Sequence, residues 1–126
     1  MRITVYTDGS CRFGKGGWGA IAIQEDICIY GSEKDTTNNR MEMMAIIETL
    51  RAFPNTKKLL IYSDSNYAIN CAQKLWKRNK NLDLWKEYDK LALGKDIVFK
   101  WVKGHDGNVY NERVDCLAKD ARDGKI

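Results

Sequence analysis

Apolar and polar residues alternate almost from the start of the chain. "RITVYTD", residues 2–8, has the two-residue period of a half-buried strand and is rich in β-branched and aromatic side chains. The glycine-rich "CRFGKGG", residues 11–17, reads as a turn. "WGAIAIQ" (18–24) and "ICIYGS" (27–32) read as two more strands joined by a polar "ED". Three successive strands with short links are expected to be antiparallel neighbours. Asp8-Gly9 is a hairpin dipeptide in type. The seven residues from Asp8 to Gly14 nonetheless exceed a two-residue connection, so Asp8 is read as the last residue of a central strand.

The period then lengthens. In "DTTNNRMEMMAIIETLRAF", residues 35–53, apolar positions 43, 46, 47 and 50 form a helical stripe. Asn39 is the expected N-cap, with Glu42 as its capping-box partner, and Pro54 follows the helix. "KKLLIYS" (57–63) is apolar enough for a central strand. Ser63, Asp64 and Ser65 open a second helix expected to run to about residue 79. "DLWKEYDKLAL" (83–93) is a shorter helix, "DIVFKWV" (96–102) a fifth strand, "GHDGNV" (104–109) a loop and "NERVDCLAKDA" (111–121) a final amphipathic helix. The order β-β-β-α-β-α-α-β-α predicts an α/β fold. Its sheet is mixed and five-stranded, three strands antiparallel and two further strands parallel, with helices packed on it by right-handed crossovers. Ligands in open α/β sheets sit beyond the carboxyl ends of the strands. If strands one and four are parallel neighbours, Asp8 and Asp64 lie side by side.

Composition narrows the class. The 126 residues suffice for one domain, expected to span 1–126, and 44% hydrophobic with 30% charged residues fits a globular chain. No apolar run is long enough to span a membrane, and the N-terminus lacks a signal-peptide pattern, so a cytoplasmic location is expected. Cys11, Cys28, Cys71 and Cys116 are widely spaced and only one histidine is present, which argues against zinc. They are read as free thiols serving as small packing residues. The net charge of +4 is modest, but its distribution is uneven. No acid occurs between Asp64 and Asp83, while Lys74, Lys77, Arg78 and Lys80 crowd around Trp76. Cations interleaved with an aromatic suit a phosphate backbone, although one such run alone is more often a solvated helix face.

Four acids each have an ordinary explanation. Asp8 can be a turn residue, Glu42 half of a capping box, Asp64 an N-cap and Asp115 the i,i+4 partner of Lys119. Together they mean more, because the topology can bring all four to one end of the sheet. Converging carboxylates raise one another's pKa unless cations neutralise them. Hard oxygen ligands without nearby cysteine or histidine select Mg²⁺, with Mn²⁺ as the alternative. Two such ions roughly 3.5–4 Å apart suit in-line attack at a phosphodiester. His105, between glycines in the loop before Asp115, is placed to overhang the cluster, and its ordinary pKa of about 6.5 suits a proton shuttle.

"YTDGSC", "TTNNRMEMMA", "YSDSNY" and "WVKGHDGNVYNERVDCLAK" occur in an order and at distances that resemble type 1 ribonuclease H, over nearly the whole chain. The resemblance implies a ribonuclease H-like fold and endonucleolytic cleavage of the RNA strand of RNA–DNA hybrids, leaving 5′-phosphate and 3′-hydroxyl ends. It implies Asp8, Glu42, Asp64 and Asp115 as ligands of two Mg²⁺ or Mn²⁺ ions, with Glu42 also positioning the attacking water. It implies His105 as an aid to proton transfer or product release. Asn38 and Asn39 match an asparagine pair that reads the hybrid's minor groove, and Gly9, Ser10 and Ser65 match positions near the RNA, whose 2′-hydroxyls distinguish it from DNA. Asn66 stands where many members have glutamine, Arg40 matches a family arginine read here as a packing and ion-pair residue, and Trp76 with Lys77 is expected to grip the DNA strand. The chain departs from the family in its short "CRFGKGG", which lacks a proline, and in a basic protrusion reduced to "LWKRNKNL"; weaker hybrid affinity is expected from both. No separate N-terminal hybrid-binding domain is expected. A free-standing, monomeric enzyme beginning at Met1 is the favoured context, with the ribonuclease H domain of a reverse transcriptase as the alternative. A non-cleaving hybrid-binding module ranks below, because all four acids are present. So does a resolvase or strand-transfer enzyme of the same fold, which need not share the asparagine pair.

Overall fold

Ten consecutive residues, Ile3–Arg12, form β1, which runs well past Asp8. The computed structural model describes residues 2–104 and 106–126. β1 turns directly into β2 (Lys15–Ala22), with Arg12 opposite Lys15, so the connection is only Phe13 and Gly14. Both take positive φ, 53° and 74°, as a type I′ hairpin turn requires. The expected seven-residue turn is thus a two-residue one, and Asp8 lies inside a strand rather than at its end. Aspartate and glycine are poor strand formers alone, but cross-strand pairing of Asp8 with Gly19 and Gly9 with Trp18 carries the ladder through them.

β3 (Ile27–Glu33) continues the antiparallel meander against β2. α1 (Asn38–Ala52) follows, then β4 (Lys58–Ser63), α2 (Asn66–Ala72), α3 (Leu82–Ala92), β5 (Asp96–Trp101) and α4 (Val109–Arg122). β4 joins β1 in parallel with Tyr6 opposite Tyr62, and β5 joins β4 in parallel. The sheet order is β3-β2-β1-β4-β5, the mixed five-stranded sheet expected.

Two layers of side chains hold the helices to the sheet. On one face Met43, Ile46, Ile47 and Leu50 of α1 meet Leu59 and Ile61 of β4, Ala68 and Cys71 of α2, and Trp85 and Tyr88 of α3. On the other, Val114 of α4 packs with Tyr6 and Ile21, and Tyr62, Tyr110 and Leu117 close around them. Tyr6 and Tyr62 stack at 4.5 Å and nearly parallel across the β1–β4 pair. Gly17 permits the fit of α4, since a Cβ there would collide with the backbone at Ala118 and Arg122.

Three local expectations are corrected. Thr37, not Asn39, caps α1: its hydroxyl accepts from the Arg40 N–H at 3.2 Å, and Glu42 takes no part in a capping box. Ser65 caps α2, which ends at Ala72 rather than near residue 79. Lys74 there turns left-handed (φ 61°), and the N–H groups of Leu75 and Trp76 fold back onto the Asn70 carbonyl. All four cysteines are free, but only Cys71 is buried; Cys28 and Cys116 are exposed and are not packing residues. Among the described residues no helix is long and apolar enough to cross a membrane.

Candidate active site

Parallel pairing of β1 with β4 brings Asp8 to the level of Asp64, just past the end of β4. Glu42, on the second turn of α1, joins them because residue 9 is glycine. A Cβ on Gly9 would strike the backbone of Met41 and Glu42, so its absence lets α1 press onto β1. The room that a side chain at residue 9 would need is therefore filled by the protein's own helix. Asp8, Glu42 and Asp64 each offer a carboxylate oxygen within 4.8 Å of the others. Asp64 is further held by its backbone carbonyl, which accepts from the Trp101 indole at 3.1 Å. Gly104, after β5, lies against the Asp64 carboxylate.

This clustering is electrostatically costly. Asp8 is 3% exposed, and its pKa is pushed up to about 8 by burial first and then by the charge of Asp64; the neighbouring Glu42 carboxyl and then the Gly9 N–H, donating to Oδ1 at 2.9 Å, only partly offset this. Burial, then the charges of Asp8 and Asp64, drive Glu42 well above the usual carboxylate range. Glu42 Oε1 is buried without a hydrogen-bond partner. A buried orphan oxygen facing two further carboxylates is the donor set of a hard divalent cation, so these residues fit the metal that the sequence implies.

Asp115 stands apart from this trio. It extends from α4 and pairs with Lys119 at 3.0 Å, the ordinary i,i+4 partner, although its charge still raises the pKa of Asp8. His105 lies outside the described residues.

The expected substrate contacts divide into free and committed groups. Asn38 and Asn39 are exposed at the start of α1, but Asn38 Oδ1 already accepts from the Cys11 N–H at 2.9 Å, leaving its amide N–H groups to face outward partners. The Ser10 hydroxyl accepts from Arg122 at 2.8 Å, and the Ser65 hydroxyl caps α2 by accepting from the Ala68 N–H at 3.0 Å. Asn66, Trp76 and Lys77 are exposed. Arg78, grouped with the exposed basic residues by its sequence neighbours, is not one of them. It is 13% exposed, donates to the carbonyls of Cys71 (2.8 Å) and Ala72 (3.2 Å), pairs with Asp89 and lies 4.7 Å over the Trp85 ring. Arg40 makes a bidentate pair with Asp83 and reaches Asn81, as its ion-pair reading predicts; its hydrogen bond lowers the pKa of Asp83 to about 2.

Sequence reasoning missed one feature, the hairpin tip. Phe13 projects there with 96% of its surface exposed. The available signal was "RFGK", an aromatic between two cations in a turn.

A family model described as RNase H matches residues 1–123. The chain is 46% identical over 137 aligned positions to the ribonuclease H of Francisella tularensis subsp. novicida (strain U112), covering 95% of this chain and 90% of that protein. It is 46% identical over 133 positions to the ribonuclease H of Hahella chejuensis (strain KCTC 2396), covering 92% and 90%. Among solved structures it is similar to LC9-RNase H1, a type 1 RNase H with the type 2 active-site motif, at TM-score 0.81 and 32% identity over 99% of this chain and 74% of that one. RNase H1 from the halophilic archaeon Halobacterium salinarum NRC-1 shares the fold at TM-score 0.77 and 23% identity, covering 98% and 99%. With the family match spanning the sheet, all four helices and the carboxylate cluster, the chain belongs to the RNase H family of hydrolases.

Proposed function

We propose that this chain hydrolyses the RNA strand of RNA–DNA hybrids endonucleolytically, leaving 5′-phosphate and 3′-hydroxyl ends. The observation that carries the reading is the convergence of Asp8, Glu42 and Asp64, with one buried carboxylate oxygen left without a partner. These three residues would hold divalent cations, Mg²⁺ or Mn²⁺, and Asp115 would join them by leaving Lys119. Two bound ions would lower the pKa of an attacking water and neutralise charge on the phosphate. Glu42 accepts a hydrogen bond from that water and so orients it. Asn38 and Asn39 present amide groups to the minor groove, and the backbone at Gly9 and Ser10 lines the approach of the RNA, where a 2′-hydroxyl separates RNA from DNA. Trp76 and Lys77 meet the DNA strand, and His105 moves a proton at the departing 3′-oxygen. A monomer acting in the cytoplasm is the form in which this activity is expected.

The test offers labelled RNA–DNA hybrid, duplex RNA, duplex DNA and single strands, with Mg²⁺, Mn²⁺ or chelator. Only the RNA strand of the hybrid should be cut, and chelator should abolish the cut. Asp8→Asn and Asp64→Asn should each lower the rate by at least about a thousandfold while the circular dichroism spectrum stays that of the parent. Near-parental cleavage by either variant in Mg²⁺ would sink the reading.

A further inference from the structure

We propose that Phe13 is a stacking contact for the nucleic-acid substrate, reaching a nucleotide well away from the cut. The proposal rests on the hybrid-cleaving reading above and assigns a contact to a residue of this chain's own, at the turn "CRFGKGG" where its sequence departs from the family.

Three observations converge on this residue. First, nothing in the fold accounts for a phenylalanine here. The type I′ turn needs positive φ at both central positions, which asparagine, aspartate and glycine adopt readily and a bulky aromatic does not. Phe13 takes φ 53° and stays 96% exposed, so no burial compensates the strain. Local rules broken without a packing gain mark functional positions. Second, the surroundings suit a polyanion. Arg12 and Lys15 face each other across the turn and both are exposed, and the Arg12 guanidinium lies 5.5 Å from the Phe13 ring centroid. An aromatic between cations is the pairing that grips a strand through its bases and phosphates.

Third, the tip is fixed in place beside the asparagine pair. The Gly14 carbonyl accepts from the Thr36 N–H at 3.0 Å, the Cys11 thiol donates to the Thr36 carbonyl at 3.4 Å, and the Cys11 N–H donates to Asn38 Oδ1. These bonds make one ledge of the hairpin tip and the start of α1. Phe13 lies five residues beyond Asp8 on a continuous strand and its turn, about 16 Å at the usual rise per residue. With β1 laid along the hybrid and successive nucleotides spaced by about 3.4 Å, the ring reaches a nucleotide about five from the carboxylates. Its partner is the apolar face of a backbone sugar, since the base faces of a paired hybrid are covered by their neighbours, so the contact is tolerant of sequence.

The test compares Phe13→Asn, which suits the turn, with Phe13→Trp, which keeps an aromatic. Affinity is read by anisotropy of a labelled hybrid in chelator, so the measurement stands apart from cleavage; steady-state kinetics in Mg²⁺ follow. Phe13→Asn should melt at or above the parental temperature yet bind hybrid about tenfold more weakly, the loss falling on KM while kcat changes less than twofold. Phe13→Trp should restore affinity to within about twofold. Hybrids carrying a single 5-iodouridine should crosslink to residue 13 only at positions about five nucleotides from the cut. Unchanged affinity in Phe13→Asn, or equal losses in both variants, overturns the proposal. A parental protein that binds hybrid without cutting it would instead overturn the hybrid-cleaving reading, leaving the binding comparison to decide the role of Phe13.

Discussion

At the scale of single residues, Asp8 shows the conflict between fold and chemistry most directly. Its carboxyl is buried among acids, and its pKa is pushed up to about 8, far above the ordinary carboxylate value. A group whose folded pKa is raised holds its proton more tightly in the native state. Its contribution to stability is therefore full below about pH 4 and is lost as pH climbs toward 8. In chelator, the Asp8 proton alone should lower stability between those limits by up to about 1.4 kcal/mol per pH unit, and Glu42, raised as well, adds a fall of the same sign. Asp8→Asn should lessen the slope, leaving the part that Glu42 contributes, and raise the melting temperature at pH 8 by several degrees, and Mg²⁺ should recover the loss in the parent. Thermal melts from pH 4 to 9, with and without Mg²⁺, check this; a flat metal-free profile would contradict it. The acids themselves stood out in the sequence because they recur in separate predicted elements that the topology brings to one end of the sheet, even though Asp8 lies inside β1 and Asp115 inside α4. The surroundings of Asp115 and Gly9 were less legible. The pairing of Asp115 with Lys119 and the press of α1 on Gly9 depend on how helices approach the sheet, which periodicity does not encode.

At the scale of elements, the nine strands and helices were readable in type and order because their apolar periods are strong, while their ends depended on unseen partners. β1 overran its expected end because β2 pairs with it through Gly16 and Gly17, and the Phe-Gly turn carries none of the usual hairpin dipeptides. "TTNN" offers four capping residues, and only geometry selects Thr37. α2 stopped short because Arg78 returns to its final turn. The side chain that looked like part of a basic surface instead closes the helix, satisfying the carbonyls of Cys71 and Ala72 and stacking on Trp85 of α3. Arg78→Ala should destabilise the fold by about 2–3 kcal/mol, or about 10 °C in melting temperature, and Arg78→Lys should recover less than half, because an ammonium lacks the planar fork. A melt within two degrees of the parent for Arg78→Ala would show that the side chain is solvated. Trp76 and Lys77, carried on the segment that Arg78 anchors, would then have no fixed position.

At the scale of the whole molecule, the parallel β1–β4 pair decides when the site can exist. Thr7 Oγ donates to the Tyr62 carbonyl at 3.1 Å across a separation of 55 residues, and Asp8 and Asp64 lie just beyond that contact. The third acid, Glu42, arrives on the helix that crosses between the two strands. No local fragment holds the cluster; it is assembled only when the longest-range pairing of the sheet has closed. Contacts of such high sequence separation form slowly, since chain closure precedes any gain from them. The carboxylate repulsion thus falls on the last steps of folding, and so does any relief by cations. Divalent ions should therefore leave the refolding rate almost unchanged and slow unfolding, by about tenfold at ten times the dissociation constant. Stopped-flow chevrons with and without Mg²⁺ would show a shifted unfolding limb alone, and the cation would act as a latch on a closed chain rather than as a template for closing it.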